Sequence, residues 1–277
     1  MYVSAILAQL VERHFCKVDV PGSSPGDGSK KFLKSDIVYF MNIEHKGHLH
    51  PITQFIREVI SIFSEMGFVV VQGPELENEY YNFDAINTPA EHPSRDMQDT
   101  FWIKTAGISK DRLVMRTQTS AVQARYLEKN KDSLPCAIIV PGKVFRNEAT
   151  DATHEAQFFQ LEALYVDKKV SMGHLKGTIE HFLKKLYGDD VAMRFRPSFF
   201  PFVEPGVEVD MLFNGKWLEM GGAGMVHPNV LKSAGIDSNE WSGFAFGLGV
   251  DRLVMRQNDI PDVRMLYGGD LRFINQF

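Results

Sequence analysis

The chain has 277 residues, of which 44% are hydrophobic and 23% are charged, and its net charge at pH 7 is −5. This composition is that of an ordinary globular protein with one large domain or two small ones, and no apolar run is long enough to span a bilayer. The acidic balance disfavours a protein that grips RNA unaided and favours chemistry on a small substrate. The cysteines, Cys16 and Cys136, lack paired spacing, which argues against a disulfide or zinc framework and favours a cytoplasmic location.

Residues 1–40 differ from the rest of the chain and admit more than one interpretation. A short amphipathic helix at residues 8–13 would precede a flexible linker at residues 21–26, which is rich in proline, glycine and serine. A secretory signal is a weaker alternative, because the apolar stretch is short and Glu12 interrupts it.

The genetic code supports a sharper hypothesis for the same segment. Residues 8–13 can be encoded by GCT CAG CTG GTA GAG CGC, which also spells the D-arm of a tRNA gene, and codons for residues 21–26 can spell a T-arm. An anticodon stem fits residues 14–18, and codons for residues 5–7 pair with those for residues 26–28 as an acceptor stem.

We therefore predict that residues 5–29 are an open reading frame through a tRNA gene. Under this hypothesis residues 1–40 are a non-native or disordered extension, translation starts at Met41, and residues 41–277 form the domain. Cys16 would then carry no functional information. The coding DNA is the test, because codons that differ from those stems would contradict the hypothesis.

The first regular elements of the domain are a helix and a strand. Residues 50–66 carry apolar side chains at helical spacing, and residues 68–71 have strand composition before a glycine–proline break. A long polar loop follows at residues 75–99. A strand over residues 113–120 then leads to a helix over residues 121–130.

Thr119 or Ser120 is the predicted cap of the helix that begins at residue 121. In the remainder of the chain, strands outnumber helices. Further strands are predicted over residues 138–145, 158–166, 191–195, 208–213, 216–220 and 244–247, and further helices over residues 172–187 and 249–257. Because many of these strands are hairpin-linked, we predict an α+β fold with an antiparallel sheet flanked by helices. A doubly wound parallel sheet is disfavoured, and the GxxxxGK[ST] pattern of a P-loop does not occur.

Four segments carry residue types that suit a nucleotide and a carboxylate substrate. VFRNE at residues 144–148 places an arginine on a strand, and FFQLE at residues 158–162 returns from a polar loop with carboxamide and carboxylate side chains. GFAFGLGVDR at residues 243–252 is a glycine-rich strand that ends in arginine, and FFPFVEP at residues 199–205 is rich in phenylalanine. The planar fork of arginine binds two phosphate oxygens at once.

These segments resemble motifs 2 and 3 of the class II aminoacyl-tRNA synthetases, and FFPFVEP narrows the resemblance to the catalytic α chains of bacterial phenylalanyl-tRNA synthetases. The resemblance extends from about Gly47 to Phe277. It implies a class II antiparallel sheet and an ATP-dependent ligase that forms phenylalanyl-adenylate, releases pyrophosphate and transfers phenylalanine to the terminal ribose of its tRNA. The first helix and strand are similar to motif 1, the dimer interface of that family, although an ordinary helix and strand fit equally well.

The resemblance implies a set of ATP-binding residues. Arg146 would hold the α-phosphate, Arg252 the γ-phosphate, and Glu148 would contact the adenine amino group; these are the predicted catalytic residues. The other predicted ATP contacts are His154, Phe158, Glu219, Gly247 and Gly249. Magnesium is the implied cofactor and Glu219 its predicted ligand, with a solvated carboxylate as an equally good interpretation. For either arginine alone, a surface salt bridge is the commoner explanation.

The amino-acid pocket must bind an ammonium and a benzyl ring. The resemblance places Gln160 and Glu162 at the ammonium, and Phe200 and Phe202 edge to face with the substrate ring. The other predicted pocket residues are Gln118, Ser120, Gln123, Val203 and Ala245. Apolar walls there would leave the hydroxyl of a tyrosine substrate unpaired. An ordinary aromatic core is the alternative explanation for the Phe-Pro-Phe stretch.

Two residues depart from the family pattern. Phe159 stands where the family commonly has histidine, so we expect weaker substrate orientation with retained chemistry, and we expect Phe159→His to be tolerated. Asp251 stands where the family usually has glutamate, which leaves open whether that carboxylate contacts the metal or supports its neighbours.

The resemblance also implies partners: a large β chain in an assembly of two α and two β chains, a tRNA for phenylalanine, and no membrane. Such α chains begin with a helical hairpin that contacts tRNA, and nothing heptad-like precedes His48, so we expect tRNA charging to depend on the β chain. The main alternative is a paralogue that binds or regulates without aminoacylation; a second is a ligase that makes an acyl adenylate for another acceptor, as biotin and lipoate ligases do. The intact charged residues argue against the first, and the ammonium-binding Glu162 against the second.

Overall fold

The structure of the chain is a computed structural model, which describes residues 47–92, 100–104, 112–213 and 215–277. The predictions about residues 1–40 and Met41 lie outside the described residues. Across the described ranges, no helix is long and apolar enough to cross a membrane.

Most strands of the domain belong to one large sheet. In chain order the strands are β1 (Val69–Val70), β2 (Leu76–Asn78), β3 (Trp102–Ile103), β4 (Leu113–Met115), β5 (Cys136–Phe145), β6 (Gln157–Asp167), β7 (Met193–Pro197), β8 (Val203–Phe213), β9 (Lys216–Val226) and β10 (Ser242–Gly249). The large sheet has the order β1-β5-β6-β10-β9-β8-β7, and β2, β4 and β3 form a small second sheet. Of the strand pairs described, β1 with β5 is parallel and the others are antiparallel. The predicted α+β class is confirmed.

Helices cover both faces of the large sheet. They are α1 (Pro51–Glu65), α2 (Glu79–Asn82), α3 (Ser120–Asn130), α4 (Met172–Tyr187), α5 (Pro228–Ser233), α6 (Val250–Gln257) and α7 (Leu271–Ile274), with short 3-10 turns at Asp84–Ile86, Lys131–Ser133 and Val263–Leu266. On one face α1, α4 and α6 bury the main core, in which the ring of Phe63 lies 4.9 Å from Phe182 and 6.1 Å from Phe246. On the other face α3 and α5 pack over Ile138 and Leu164 at one end of the strands.

The alternation of β10 explains why the second face also holds a cleft. Phe244, Phe246 and Leu248 point into the main core, whereas Ala245 and its small neighbours at i+2 and i+4 face the opposite side. A central strand with so little side-chain bulk on one face leaves room for a ligand to lie directly on the sheet.

Several predicted elements need correction. The segment predicted as a long polar loop over residues 75–99 contains β2, α2 and the 3-10 turn at Asp84–Ile86, because β2 pairs with β4 and Asn78 caps α2. The strand predicted over residues 113–120 ends at Met115, because the following backbone turns away to pair Arg116 with Phe145. Thr119 is the N-cap of α3, but its side chain makes no capping hydrogen bond. The strands predicted over 208–213 and 216–220 are two arms of one longer hairpin, β8 and β9, because their glycines continue the sheet.

Candidate active site

The cleft lies on β6, β10 and β9, with β10 as its floor. Gly247 pairs with Glu162 of β6 on one side and with Gly222 of β9 on the other. A Cβ atom on Gly247 would stand 3.2 Å from Cγ of Glu162 and 3.4 Å from Nε2 of Gln160. Glycine at this position therefore keeps open the space above the two side chains predicted to hold the ammonium. Gly247, predicted as an ATP contact, thus lies beside Gln160 and Glu162, which are predicted for the amino-acid pocket.

All of the predicted site residues line this single cleft, which has a volume of about 420 Å³. The structure brings together Gln118, Ser120, Gln123, Arg146, Glu148, His154, Phe158, Gln160, Glu162, Phe200, Phe202, Val203, Glu219, Ala245, Gly247, Gly249 and Arg252. These residues are far apart in sequence. The antiparallel pairing of β6, β10 and β9 brings most of them together, and α3 begins at the end of the cleft.

Glu162 is the buried acidic centre of the cleft, with 4% of its surface exposed. The hydroxyl of Ser120 donates a hydrogen bond to Oε2 of Glu162 at 2.7 Å, and the same hydroxyl lies 3.3 Å from Oε1 of Gln118. Burial raises the pKa of Glu162 to about 7, against the opposing influence of Ser120 and of the cations Arg116 and Arg146. A carboxylate that is costly to ionise when alone is well suited to a cationic ligand.

Two carboxamides flank that carboxylate. The backbone N–H of Thr119 donates to Oε1 of Gln160 at 3.3 Å, which directs the NH₂ group of Gln160 away from α3. Nε2 of Gln123 donates to the carbonyl of Ala163 at 3.5 Å, leaving the Oε1 of Gln123 without a hydrogen bond among the described contacts. Both side chains can therefore offer polar atoms to a ligand in the cleft.

Arg146 lines the cleft, and a hydrogen bond to the backbone of Thr117 positions its side chain. Its Nε donates to the carbonyl of Thr117 at 3.2 Å, its guanidinium lies 5.0 Å from the ring centroid of Phe158, and NH1 is 4.0 Å from Oε1 of Glu148. Burial lowers the pKa of Arg146, and the positive charge of Arg252 acts in the same direction.

Arg252 is the second cation of the cleft and is exposed at the start of α6. Among the described residues, no acidic side chain lies within ion-pairing distance of Arg252. Two arginines that face one cleft and repel each other form a site that a polyanion would stabilise.

Asp251, next to Arg252, lines the cleft, but both of its carboxylate oxygens accept hydrogen bonds from the protein. Its Oδ2 accepts the backbone N–H of Phe159 at 2.7 Å, and its Oδ1 accepts the hydroxyl of Tyr267. Burial raises the pKa of Asp251, opposed by the hydrogen bond from Tyr267. Both oxygens are thus engaged with protein donors, so this carboxylate ties α6 to β6 and to the C-terminal segment.

The turn between β5 and β6 is tightly ordered around Asp151. Its Oδ1 accepts the backbone N–H groups of Thr153 at 2.6 Å and His154 at 2.8 Å, and these hydrogen bonds, together with one from the His154 ring, hold the pKa of Asp151 well below its usual range. The backbone N–H of Val263 donates to the carbonyl of Ala152 at 2.9 Å. The C-terminal segment therefore also supports the turn that carries His154 to the cleft.

The aromatic end of the cleft is built on a glycine. The rings of Phe200 and Phe202 lie 5.9 Å apart at 24°, and a Cβ atom on Gly222 would meet the tip of the Phe200 ring at 2.7 Å. Nδ2 of Asn87 donates to the carbonyl of Pro201 at 2.5 Å and fixes the chain between the rings. Unpredicted apolar residues complete this end: Ala124, Leu127, Leu164, Val226 and Val230.

Glu219 is an exposed residue of β9 at the cleft. Within the ranges that the structure describes, no group of three or more His, Cys, Asp or Glu side chains could hold a metal ion. Mg²⁺ commonly binds through one or two carboxylates together with substrate phosphates, so a single carboxylate beside a polyphosphate site fits that ion. The alternative of a solvated carboxylate is equally consistent with its exposure.

The expectation that Phe159 affects substrate orientation is wrong, because its side chain does not lie in the cleft. Phe158, Gln160 and Glu162 face the cleft, so alternation along β6 turns Phe159 to the opposite face. There its ring packs against the main core, with Nζ of Lys143 at 5.9 Å from the ring centroid. A histidine at this position would not orient a substrate directly.

Two supporting residues, Arg116 and Tyr267, were not predicted from the sequence. Arg116 is 4% exposed and donates to the carbonyls of Lys143 at 2.7 Å and of Gly73 at 3.1 Å, close enough to Glu162 to favour its ionised form. Its position in the same strand-to-helix segment as Gln118 was the available signal. No sequence signal pointed to Tyr267, because its contact with Asp251 depends on the path of the C-terminal segment.

Comparison with known proteins agrees with the fold. The family described as "tRNA synthetases class II core domain (F)" matches residues 34–277, so the chain belongs to this family of class II tRNA synthetase core domains. It is 51% identical over 244 residues to the phenylalanine–tRNA ligase alpha subunit of Shouchella clausii, covering 84% of this chain and 69% of that relative. It is also 51% identical over 243 residues to the protein of the same name from Bacillus subtilis, covering 83% of this chain and 69% of that relative.

Proposed function

We propose that this chain is the catalytic subunit of a phenylalanine–tRNA ligase. It joins phenylalanine to the α-phosphate of ATP, releases pyrophosphate, and passes the activated amino acid to the terminal ribose of the matching tRNA. The observation that carries this proposal is the order of the groups in one cleft: an aromatic end at Phe200 and Phe202, a buried acid at Glu162, and two arginines.

The spacing of the strands suits phenylalanine. The ring of Phe200 lies over Gly222, two strands away from Glu162, which corresponds to roughly 10 Å at a strand separation of about 4.8 Å. A ligand with an ammonium at one end and a benzyl ring at the other can bridge this distance over Gly247 and Ala245 when its hydrogen bond to Glu162 and its contact with the Phe200 ring are included. Gln160, Gln123, Ser120 and Gln118 would complete the polar end, with Val203 at the apolar end.

The arginine end suits the nucleotide. Arg146 would neutralise the α-phosphate as the carboxylate attacks it, and Arg252 would neutralise the departing pyrophosphate. Glu148 would accept from the adenine amino group, with Phe158 and His154 lining the same end. Since the reaction needs positioning and charge stabilisation, no covalent enzyme intermediate is required. Glu219 is the residue that would hold magnesium at this end, where the ion would supply positive charge beside the phosphates.

The assembly around the chain is also proposed. The net charge of −5 is poorly suited to binding tRNA alone, and the relatives are named as alpha subunits, which supports a β chain as the partner that supplies most RNA contacts. We propose two α and two β chains and a cytoplasmic location. The open edge of the large sheet, where Val69 is 53% exposed, agrees with an interface at the motif 1 segment.

The test is phenylalanine-dependent exchange between ATP and pyrophosphate, measured on the chain co-expressed with its β partner. We expect exchange with phenylalanine but not tyrosine, and a loss of about 100-fold or more in Arg146→Ala. Arg272→Ala is the matched control, because that side chain is 91% exposed and paired only with its neighbour Asp270 in the described contacts. Absence of exchange from a folded complex would favour the paralogue without aminoacylation.

A further inference from the structure

The rim of the cleft carries an aromatic pair that the proposed reaction has not used. Phe199 is 70% exposed, and its ring lies parallel to that of His92, with an angle of 5° and centroids 5.9 Å apart. Of the large apolar side chains that are exposed within the described ranges, Phe199 alone lines the cleft. A ring that is covered on one face and still this exposed must have its other face open to solvent.

The backbone on both sides of Phe199 is fixed. The N–H of Ser198 donates to the carbonyl of Gly206 at 3.0 Å, and Phe200 forms a β-bridge with Val203. The N–H of His92 donates to the carbonyl of Pro89 at 3.0 Å. The two rings are thus presented by anchored segments, as expected of a preformed surface for a flat ligand.

From these observations we infer that Phe199, backed by His92, stacks the terminal adenine of the tRNA acceptor end. This inference rests on the proposed function, in which three ligands share the cleft. The phenylalanine ring is assigned to Phe200 and Phe202, and the nucleotide to the end with Arg146. The acceptor end is the remaining ligand, and it is single-stranded, so its unstacked bases are free to pair with an aromatic face.

The test compares activation with transfer in the complete α–β complex. Phe199→Ala should leave phenylalanine-dependent exchange within about twofold of the unsubstituted complex, and it should lower kcat/KM for tRNA roughly fivefold to 150-fold. Phe199→Tyr should retain the tRNA parameters because it keeps a stacking face, whereas Phe199→Leu should behave like Phe199→Ala. A melting curve identifies any variant that fails to fold.

A second measurement isolates the terminal base. The affinity of the complex for tRNA with and without its terminal adenosine is measured for the unsubstituted protein and for Phe199→Ala. We expect Phe199→Ala to weaken binding of the complete tRNA and to leave binding of the shortened tRNA unchanged. Equal weakening of both tRNAs would overturn the inference.

Other outcomes are also distinguishable. If Phe199→Ala instead impairs assembly of the α and β chains, the exposed ring belongs to the subunit interface and the inference is wrong. If the unsubstituted complex shows no exchange at all, the proposed function fails and the inference falls with it. Normal exchange together with unchanged tRNA kinetics in Phe199→Ala overturns the inference alone.

Discussion

The hydroxyl of Ser120 donates a 2.7 Å hydrogen bond to the buried carboxylate of Glu162. This hydrogen bond joins the first turn of α3 to the central strand β6 and favours the ionised form of Glu162. Because burial raises the pKa of Glu162 to about 7, the charge of that carboxylate changes in the physiological range.

The affinity of the free complex for phenylalanine should therefore depend on pH. A raised carboxyl pKa means that Glu162 is largely protonated below pH 7 and ionised above it, so affinity should rise from pH 6 to pH 8. Ser120→Ala removes a donor to the ionised form, so its midpoint should shift to higher pH. Calorimetric titration with phenylalanine at several pH values measures both midpoints.

Two variants control that measurement. Ser133→Ala, at an exposed serine, should keep the original midpoint. Glu162→Gln should bind phenylalanine weakly and without a titration between pH 6 and pH 8. A pH-independent affinity in the unsubstituted complex would show that the charge of Glu162 does not change between pH 6 and pH 8, and full affinity in Glu162→Gln would show that Glu162 does not hold the ammonium.

Gly247→Ala should damage phenylalanine binding specifically. The added methyl group would stand 3.2 Å from Cγ of Glu162, tighter than ordinary contact, and would occupy the floor beneath the ligand. We expect the KM for phenylalanine in exchange to rise about tenfold or more, corresponding to roughly 1.4 kcal/mol. The KM for ATP should change much less.

Gly177→Ala is the control for this substitution. Its Cβ would meet nothing within 4 Å, and its position inside α4 means that alanine should stabilise the protein by roughly 1 kcal/mol. Kinetic parameters should be unchanged. Equal KM values for phenylalanine in Gly247→Ala and in the unsubstituted protein would remove the amino acid from this part of the cleft.

Tyr267→Phe should show whether the hydrogen bond between Tyr267 and Asp251 positions Arg252. It leaves the buried carboxylate of Asp251 without one of its two donors, which should cost about 1–3 kcal/mol of the free energy of unfolding. Because Arg252 follows Asp251 directly, the KM for ATP should rise more than the KM for phenylalanine. Exchange kinetics and denaturant unfolding measure the two effects.

The exposed Tyr80 supplies a matched control for that substitution. Tyr80→Phe should change neither the stability nor the KM for ATP. A Tyr267→Phe protein with lowered stability but an unchanged KM for ATP would show that the C-terminal segment is structural and does not position Arg252.

Phe159→His should be tolerated, although for a reason that differs from the original expectation. The side chain lies against the main core and not in the cleft, so histidine there should lower stability by about 1–3 kcal/mol while leaving both KM values unchanged. Thermal melting and exchange kinetics provide the check. An increased KM for phenylalanine would mean that residue 159 acts on the substrate.

The sequence was sufficient to predict the elements that depend on local periodicity. The helix predicted over residues 172–187 is α4, Met172–Tyr187, because its apolar spacing and its packing agree. The hairpin of β8 and β9 was predicted in shorter pieces, since Gly221, Gly222 and Gly224 are typical of strand ends. In the folded protein, pairing with β10 and the ring of Phe200 keep those glycines in the sheet.

In the candidate site, residues that belong to local motifs were predictable and long-range supporting contacts were not. The cleft residues were found because their types and spacing match motifs, and antiparallel pairing then brings them together. Supporting contacts had no such signal. Asn87 adopts a left-handed backbone with φ of 61°, and its side chain donates a hydrogen bond to the carbonyl of Pro201, 114 residues away. No local sequence pattern predicts such a contact. The packing of Phe159 was predictable from strand alternation alone, once the register of β6 was known.

The most direct test of the account is a structure of the α–β complex bound to a non-hydrolysable analogue of phenylalanyl-adenylate. We expect the ammonium within hydrogen-bond distance of Glu162, the benzyl ring against Phe200 and Phe202, and the phosphate mimic at Arg146. An analogue whose ring lies at the arginine end, or which binds outside this cleft, would contradict the account.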